Sequence, residues 1–473
     1  MKKKFALMLI ASLTACEGIP PPSSDPQLTF APPDKWSGAK TKQGEILKQW
    51  WRSFDDEKLP ALIQEALLHN HDLAAAAARM EIAAIQAKIA GASSWPSLGL
   101  GIDSTRQHQN FIGLPIPSAG GDVISKTYSR HGVSLTSSWE IDLWGRLRAS
   151  RSAAAASAQA SIADLAEARH SLAAQTAKLW FAAVEARLQL ELAHATLESY
   201  RSSLATVNDR FSRGVRPAAE LRLARNSLET GRALVAQREE QAALTIRQFE
   251  LLLGRYPSGA LVTTTDLPKV PGPAPAGLPS ELLTRRPDVI AAERRLAEQV
   301  ARVDEARAAL YPTISLTTAA GTATEHVEDM VSADTFVWNV ISNLTQPIFQ
   351  GGRLRANVEL AQASTKAAAQ AYASAAVIAY AEVESALVAE ELLRKQLDAL
   401  RRAAEEASAA RQLTQDRYGQ GLGDFLPVLE AQRRELSAKS NLLTVRRRQL
   451  DVRIDLHLAL GGGFGEEPDR SKP

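Results

Sequence analysis

Cysteine is almost absent: Cys16 stands alone in 473 residues, so no disulfide framework can staple the fold. Methionine is scarce too, with only Met80 and Met330 beyond residue 15, which leaves a methionine-lined path for soft metal ions without support. Neither sign of charge is in excess. With 55 basic against 53 acidic residues the formal net charge is +2, and there is no electrostatic case for nucleic acid. No glycine-rich phosphate loop, paired-histidine metal motif or nucleophile with spaced partners occurs. His69 and His71 are two apart, which does not suit one helix face, so no enzyme class, cofactor or metal is indicated. Between Gly145 and Arg210 there is neither proline nor further glycine, and a helix over that stretch would span about 98 Å. Gly352 to Arg417 repeats the same length.

What is present is enough to build a core, with 45% hydrophobic and 23% charged residues. At the start, Lys2, Lys3 and Lys4 precede an apolar run, Phe5 to Leu13, too short to cross a bilayer as a helix. The pattern is that of a secretory signal over residues 1–15. Leu13-Thr14-Ala15-Cys16 resembles a bacterial lipobox, so Cys16 is the expected site of acylation and the first residue of a lipid-anchored N-terminal linker, 16–55. Glu17 rather than aspartate follows it, which favours sorting to the outer membrane.

The chain contains one unit twice. Gly145-Arg146-Leu147-Arg148 recurs as Gly352-Arg353-Leu354-Arg355, and the offset of 207 persists through Arg210 and Arg417, Gly214 and Gly421, to Leu253-Gly254 and Leu460-Gly461. Upstream, Asp72, Arg79 and Pro96 match Asp288, Arg295 and Pro312 at an offset of 216. The nine extra residues fall in a Gly- and Pro-marked loop of copy one, around 113–121. The first repeat covers 56–254 and the second 282–461, joined by a linker, 255–281, placed near the equator of the helices; 462–473 reads as a flexible tail.

Each repeat reads as helix, two strands, long helix, shorter helix. The first helices, Leu59 to Ser93 and Leu282 to Leu310, stop before Trp95-Pro96 and Tyr311-Pro312. The period then becomes two, giving strands near 97–105 and 130–143, and near 313–321 and 335–348, with one apolar and one polar face. Trp95, Tyr128, Trp139, Tyr311 and Trp338 are candidate interfacial aromatics. Long helices follow over 145–210 and 352–417, with Leu165, Leu172 and Leu179 at coiled-coil spacing, and shorter helices return over 217–253 and 425–460. A half-buried hairpin of a soluble domain would show the same alternation, but helices this long do not suit a compact domain. Four strands cannot close a membrane barrel alone, so closure requires oligomerisation.

Ser138-Trp139-Glu140-Ile141-Asp142-Leu143-Trp144-Gly145-Arg146, Arg285-Arg286-Pro287-Asp288 and Leu344-Thr345-Gln346-Pro347-Ile348-Phe349-Gln350-Gly351-Gly352-Arg353 resemble signatures of the TolC-like outer-membrane factors, most closely the acylated branch that serves resistance-nodulation-division pumps. The resemblance implies a mixed α and β membrane protein: a homotrimer whose four strands per chain close a 12-stranded β-barrel, continued by an α-helical coiled-coil tunnel in the periplasm. It implies passive efflux of small molecules, with a periplasmic adaptor and an inner-membrane pump as partners and outer-membrane lipid around the barrel. It also implies that the hairpin tips, with Arg210, Arg213, Gly214, Glu220, Arg417 and Gly421, meet the adaptor and close the tunnel. Tyr418, Asp424, Leu426 and Glu430 then fall at the periplasmic aperture, where Glu430 would form a ring of like charges. Gly423 and Pro427 depart from the pattern of the TolC protein, where a gating arginine and an acid stand. A duct for type I protein secretion and a lipid-anchored coiled-coil spacer remain the alternative readings.

Overall fold

A computed structural model describes residues 33, 35–37, 49–111, 124–274, 277 and 279–462. The signal segment, Cys16, most of the N-terminal linker and 463–473 lie outside the described residues. The chain divides into two compact units. One is built from Glu81–Ala160 and Ala292–Ala371; the other from Ser161–Ala291, the chain from Tyr372 onward and the described residues up to Met80.

The first unit carries the sheet. Strands β1 (Ser97–Phe111) and β2 (Ile124–Ile141) of the first repeat and β3 (Thr313–Thr322) and β4 (Phe336–Thr345) of the second lie antiparallel in the order β1-β2-β3-β4. The register sets Leu98, Leu100 and Ile102 beside Leu135 and Val133, and Trp139 beside Leu316, all on one face. β1 and β2 run past the ranges read from apolar alternation, because Thr, Ser, Gln and His continue the ladder beyond the apolar band without marking it. β2 ends at Ile141, where Asp142 leaves the strand to cap a helix, and β4 ends at Thr345, ahead of Pro347, which has no N–H to donate. Tyr128 is on the polar face, donating to Gln107 Oε1 at 3.1 Å, and is not part of an outward aromatic girdle. Gly321 permits the close crossing of β2 and β3: a Cβ there would stand 2.0 Å from Val133 O. Among the described residues, β1 and β4 each keep one unpaired edge.

The signature around Trp139 to Arg146 is the corner from β2 into helix α3 (Arg146–Ser212). Glu140 takes two bonds from Arg146 Nη2, at 2.9 and 2.8 Å, and Asp142 accepts from the first free N–H groups of the helix, Leu147 at 3.1 Å and Arg148 at 2.9 Å. Gly145 makes the turn at φ +82°. Trp144 stacks on Tyr311 with centroids 4.9 Å apart and donates to Pro312 O at 2.8 Å, which ties the corner of repeat one to the helix-to-strand switch of repeat two.

The helices keep the two-copy register. α3 and α7 (Arg353–Gly419) are 67 residues each; α4 (Ala218–Leu252) and α8 (Phe425–Ala459) are 35 each. The leading helix of each repeat is broken, which the apolar period alone does not show. α1 (Leu59–His69) gives way to α2 (His71–Ala92) at Asn70, and α5 (Leu282–Arg285) to α6 (Pro287–Ala308) at Arg286. Both joint residues take ψ 123°; Pro287 enforces it in the second case.

In the second unit a core forms from Trp180, Phe181, Phe249, Leu253, Leu450 and Ile454. The end of the segment read as linker belongs to it: Trp50–Phe54 is a short 3₁₀ helix with Trp50, Trp51 and Phe54 buried, and Trp50 stacks on His457. The stretch from 255 to 274 lacks regular structure and is held by its backbone. Arg187 donates to Thr264 O and Thr265 O, Arg446 to Leu267 O, and Arg453 to Pro271 O and Gly272 O. Buried Glu250 accepts from the N–H groups of Gly259, Ala260 and Leu261. Those bonds hold its carboxyl below the usual range although burial works the other way. α7 contains an 18-residue window of mean hydropathy 1.2 that is 39% buried, and along this helix Val377, Ile378, Val388 and Leu392 are exposed.

Candidate functional site

Both hairpins turn in the same way. After α3, Gly214 (φ +71°) donates to Phe211 O at 2.9 Å and Val215 to Arg210 O at 3.0 Å; after α7, Gly421 (φ +80°) donates to Tyr418 O at 3.0 Å and Leu422 to Arg417 O at 2.9 Å. Glycine supplies the left-handed conformation that lets the last carbonyls of each helix find donors. Behind the turns a small core of Val207, Leu221, Ala224, Tyr418, Phe425, Val428 and Leu429 packs the two tips together.

Tyr418 is the centre of the polar contacts. Its residue is buried, and its hydroxyl donates to Glu220 Oε2 at 3.0 Å, from the second repeat to the first turn of α4 in the first. Burial, and then the Glu220 carboxylate, push the phenol up to about 12, so it stays a donor. Two guanidinium groups cover its ring, Arg210 at 4.5 Å and Arg216 at 5.6 Å from the centroid. Arg210 also donates to Gly419 O at 2.8 Å.

Arg216 is the residue that the sequence reading passed over. Its side chain is mostly buried and reaches Glu220 Oε1 at 3.5 Å, Asp424 Oδ1 at 3.1 Å and Gly423 O at 2.6 Å. In the two-copy alignment the counterpart of Arg216 is Gly423 itself, so the repeat that lacks the arginine offers its backbone to the repeat that has it. The departure at Gly423 was the available signal.

The other expected positions are spread over the tips. Arg213 is exposed and pairs with Asp209 at 2.9 Å, three residues of turn away from the Tyr418 cluster. Gly421 has no neighbour within 4 Å of where a Cβ would be, and Leu426 is exposed. Glu430, on the second turn of α8, is half exposed and accepts from Arg434 at 2.8 Å; that bond holds its carboxyl below the usual range. A ring of Glu430 side chains would therefore carry its own counter-charges. Leu426 and Glu430 line a cavity of about 690 Å³ between α4 and α8, with Arg433 and, from α4, Leu223 and Arg238.

A model of the family "Outer membrane efflux protein" matches residues 62–255 and 278–462. The chain belongs to this family. The pyoverdine export outer membrane protein OpmQ of Pseudomonas putida is 33% identical over 485 residues, covering 98% of each chain. The toluene efflux pump outer membrane protein TtgF of the same species is 31% identical over 426 residues, covering 90% of this chain and 87% of the relative. Among solved structures, the CmeC outer membrane channel of Campylobacter jejuni superposes with a TM-score of 0.86 at 26% identity, over 94% of this chain and 96% of that one.

The protein is a TolC-like outer-membrane factor, the outer-membrane channel of a tripartite efflux system. It is a homotrimer whose three four-stranded sheets close one 12-stranded barrel, continued by a helical tunnel in the periplasm. It works with a periplasmic adaptor and an inner-membrane pump of the resistance-nodulation-division type. The unpaired edges of β1 and β4 are thus the strand edges that barrel closure satisfies.

Proposed function

We propose that this chain is a passive, gated duct for small organic molecules, whose closed state is held at the hairpin tips by Tyr418, Glu220 and Arg216. The cargo class is brought over from relatives named for pyoverdine and toluene export. No reaction is catalysed; the pump supplies the energy and the duct conducts. Opening moves the α7–α8 hairpin away from the α3–α4 hairpin, and Tyr418, Asp424, Leu426 and Glu430 line the aperture that widens. Arg210, Arg213, Gly214, Glu220, Arg417 and Gly421 form the rim that meets the adaptor. Cys16 carries the acyl anchor.

The observation that carries the gating reading is the hydrogen bond from Tyr418 to Glu220 under the Arg216 guanidinium, because it joins the two repeats through side chains rather than backbone. A charge-assisted bond of this kind contributes about 1.5–3 kcal/mol, enough to set the balance between two hairpin positions yet small enough to be broken by a docking partner. Tyr418→Phe tests it: the closed-state conductance in planar bilayers should rise several-fold with the trimer intact, and an unchanged conductance would reject the latch. For cargo, deletion followed by accumulation assays with organic solvents or dyes should show retention, whereas loss of an exported protein with normal dye efflux would favour secretion.

A further inference from the structure

Asn70 and Arg286 are one joint in two copies. They stand 216 residues apart with the same ψ of 123°, and each donates to a carbonyl at the end of the returning helix: Asn70 Nδ2 to Leu252 O at 3.0 Å, Arg286 Nη1 to Ala459 O at 3.2 Å. The glycines that end those helices abut the same joints. A Cβ on Gly254 would lie 2.5 Å from His69 O, and one on Gly461 3.3 Å from Arg285 O.

The two copies differ in charge. Arg286, almost wholly buried, grips Asp288 at 3.0 and 2.7 Å and also reaches across to Glu382 of α7 at 2.6 Å. In the first repeat the position matching Glu382 is Gln175, which donates to Ser171 of its own helix at 3.0 Å. Asn70 spends its oxygen on the N–H of Leu73 at 3.0 Å. Among the described residues, only the second hairpin has an ionic tie from its long helix to the joint.

We infer that Arg286 is a positioning residue for the gate: through Glu382 it fastens α7 to the joint and to the end of α8, so that the hairpin latched at its tip is also tied at the level where α8 ends. This rests on the reading that the α7–α8 hairpin is the one that moves. Three observations make the tie reversible. The Glu382 side chain keeps 49% of its surface exposed in the single chain against 8% for Arg286, so it is the partner that can leave without desolvation. Arg286 keeps Asp288 when Glu382 leaves, so no buried charge is orphaned. A cavity of about 400 Å³ lined by Glu382, Ser385, Ala386, Asp455 and Leu458 gives α7 and α8 room to shift.

The test is Glu382→Ala in the purified full-length trimer, recorded in planar bilayers beside Tyr418→Phe and the repeat-one match Gln175→Ala. Glu382→Ala should raise the open probability roughly tenfold while the trimer melts within ~2 °C of the parent, and Gln175→Ala should change neither. The inference is overturned if Glu382→Ala gates like the parent, if Gln175→Ala opens the channel equally, or if opening only follows a fall in melting temperature. When Tyr418→Phe opens and Glu382→Ala does not, this inference alone fails; when Tyr418→Phe does not open, the tip latch itself fails.

Discussion

Arg216 Nη1 lies 3.1 Å from Asp424 Oδ1, and the two residues come from opposite repeats. Their environments are unequal: the Arg216 side chain is 18% exposed and that of Asp424 80%. The exposed partner contributes little on its own, because water and salt screen it. Arg216→Ala, which also releases Glu220 and Gly423 O, should raise closed-state conductance roughly tenfold, and Asp424→Asn less than about twofold. Single-channel recording ranks them. Equal effects would mean that the exposed ion pair, and not the buried cluster, holds the tips.

A Cβ at Gly321 would stand 2.0 Å from Val133 O, whereas one at Gly99 would meet nothing closer than Thr136 Oγ1 at 3.5 Å. Gly321→Ala should therefore force β2 and β3 apart and block formation of the heat-dissociable trimer, while Gly99→Ala assembles normally. Electrophoresis with and without heating reads both. Normal assembly of Gly321→Ala would show that the β2–β3 crossing is looser than described.

Glu250 is the acceptor for three consecutive N–H groups of the irregular stretch after α4. Its removal leaves those donors, on half-buried Gly259 and Leu261 and exposed Ala260, without their carboxylate and opens them to water. Glu250→Ala should lower the melting temperature and open a protease-sensitive site between Arg255 and Leu267. A digestion pattern identical to the parent would contradict the view that this stretch is held by its backbone.

Four groups, His457 buried and Glu167, His170 and Asp451 half-buried, give stability a pH dependence. Burial pushes Glu167 up to about 7, with Asp288 adding, Arg286 opposing and Glu382 adding; burial pushes Asp451 up to about 6 against Arg447 and Lys178. A carboxyl whose folded value lies above its unfolded one binds its proton more tightly when folded. Its contribution is complete below the unfolded value and is lost as pH rises through about 7 or about 6. Burial lowers His170 to about 4 and His457 to about 3, and their contribution is lost as pH falls through those values. Between about pH 5.5 and about pH 8 the carboxyl and histidine effects oppose each other, so the discriminating prediction is that Glu167→Gln raises the melting temperature near about pH 8 relative to that near about pH 5.5, compared with the parent. An unaltered profile in Glu167→Gln would remove Glu167 from the account.

The architecture was legible because it is written twice. Gly145 and Gly352, Pro96 and Pro312, and the glycines ending α4 and α8 punctuate both copies, and backbone punctuation survives where side chains diverge. The periods of two and of coiled-coil spacing supplied the rest. Three things were not legible. Polar strand extensions such as Arg106 to Gln109 and Ser125 to Ser129 form the ladder without apolar alternation, so the expected end of β1 and start of β2 fall short, whereas the expected ends of β2 and β4 run past Ile141 and Thr345. The break at Asn70 has no proline and leaves the apolar pattern uninterrupted. At the tips, Tyr418 and Glu220 could be placed by resemblance, but Arg216 could not, because its partners, Asp424 and the carbonyl of Gly423, lie about two hundred residues away.

The central claim is that this chain forms a trimeric duct closed at its periplasmic tips, and the direct measurement is single-channel current of the purified trimer in planar bilayers, parent against Arg216→Ala. The account predicts discrete channels from the parent with small closed-state current, and larger current with unchanged trimer stability from the variant. A correctly assembled, heat-dissociable trimer that passes no current in either form would contradict it.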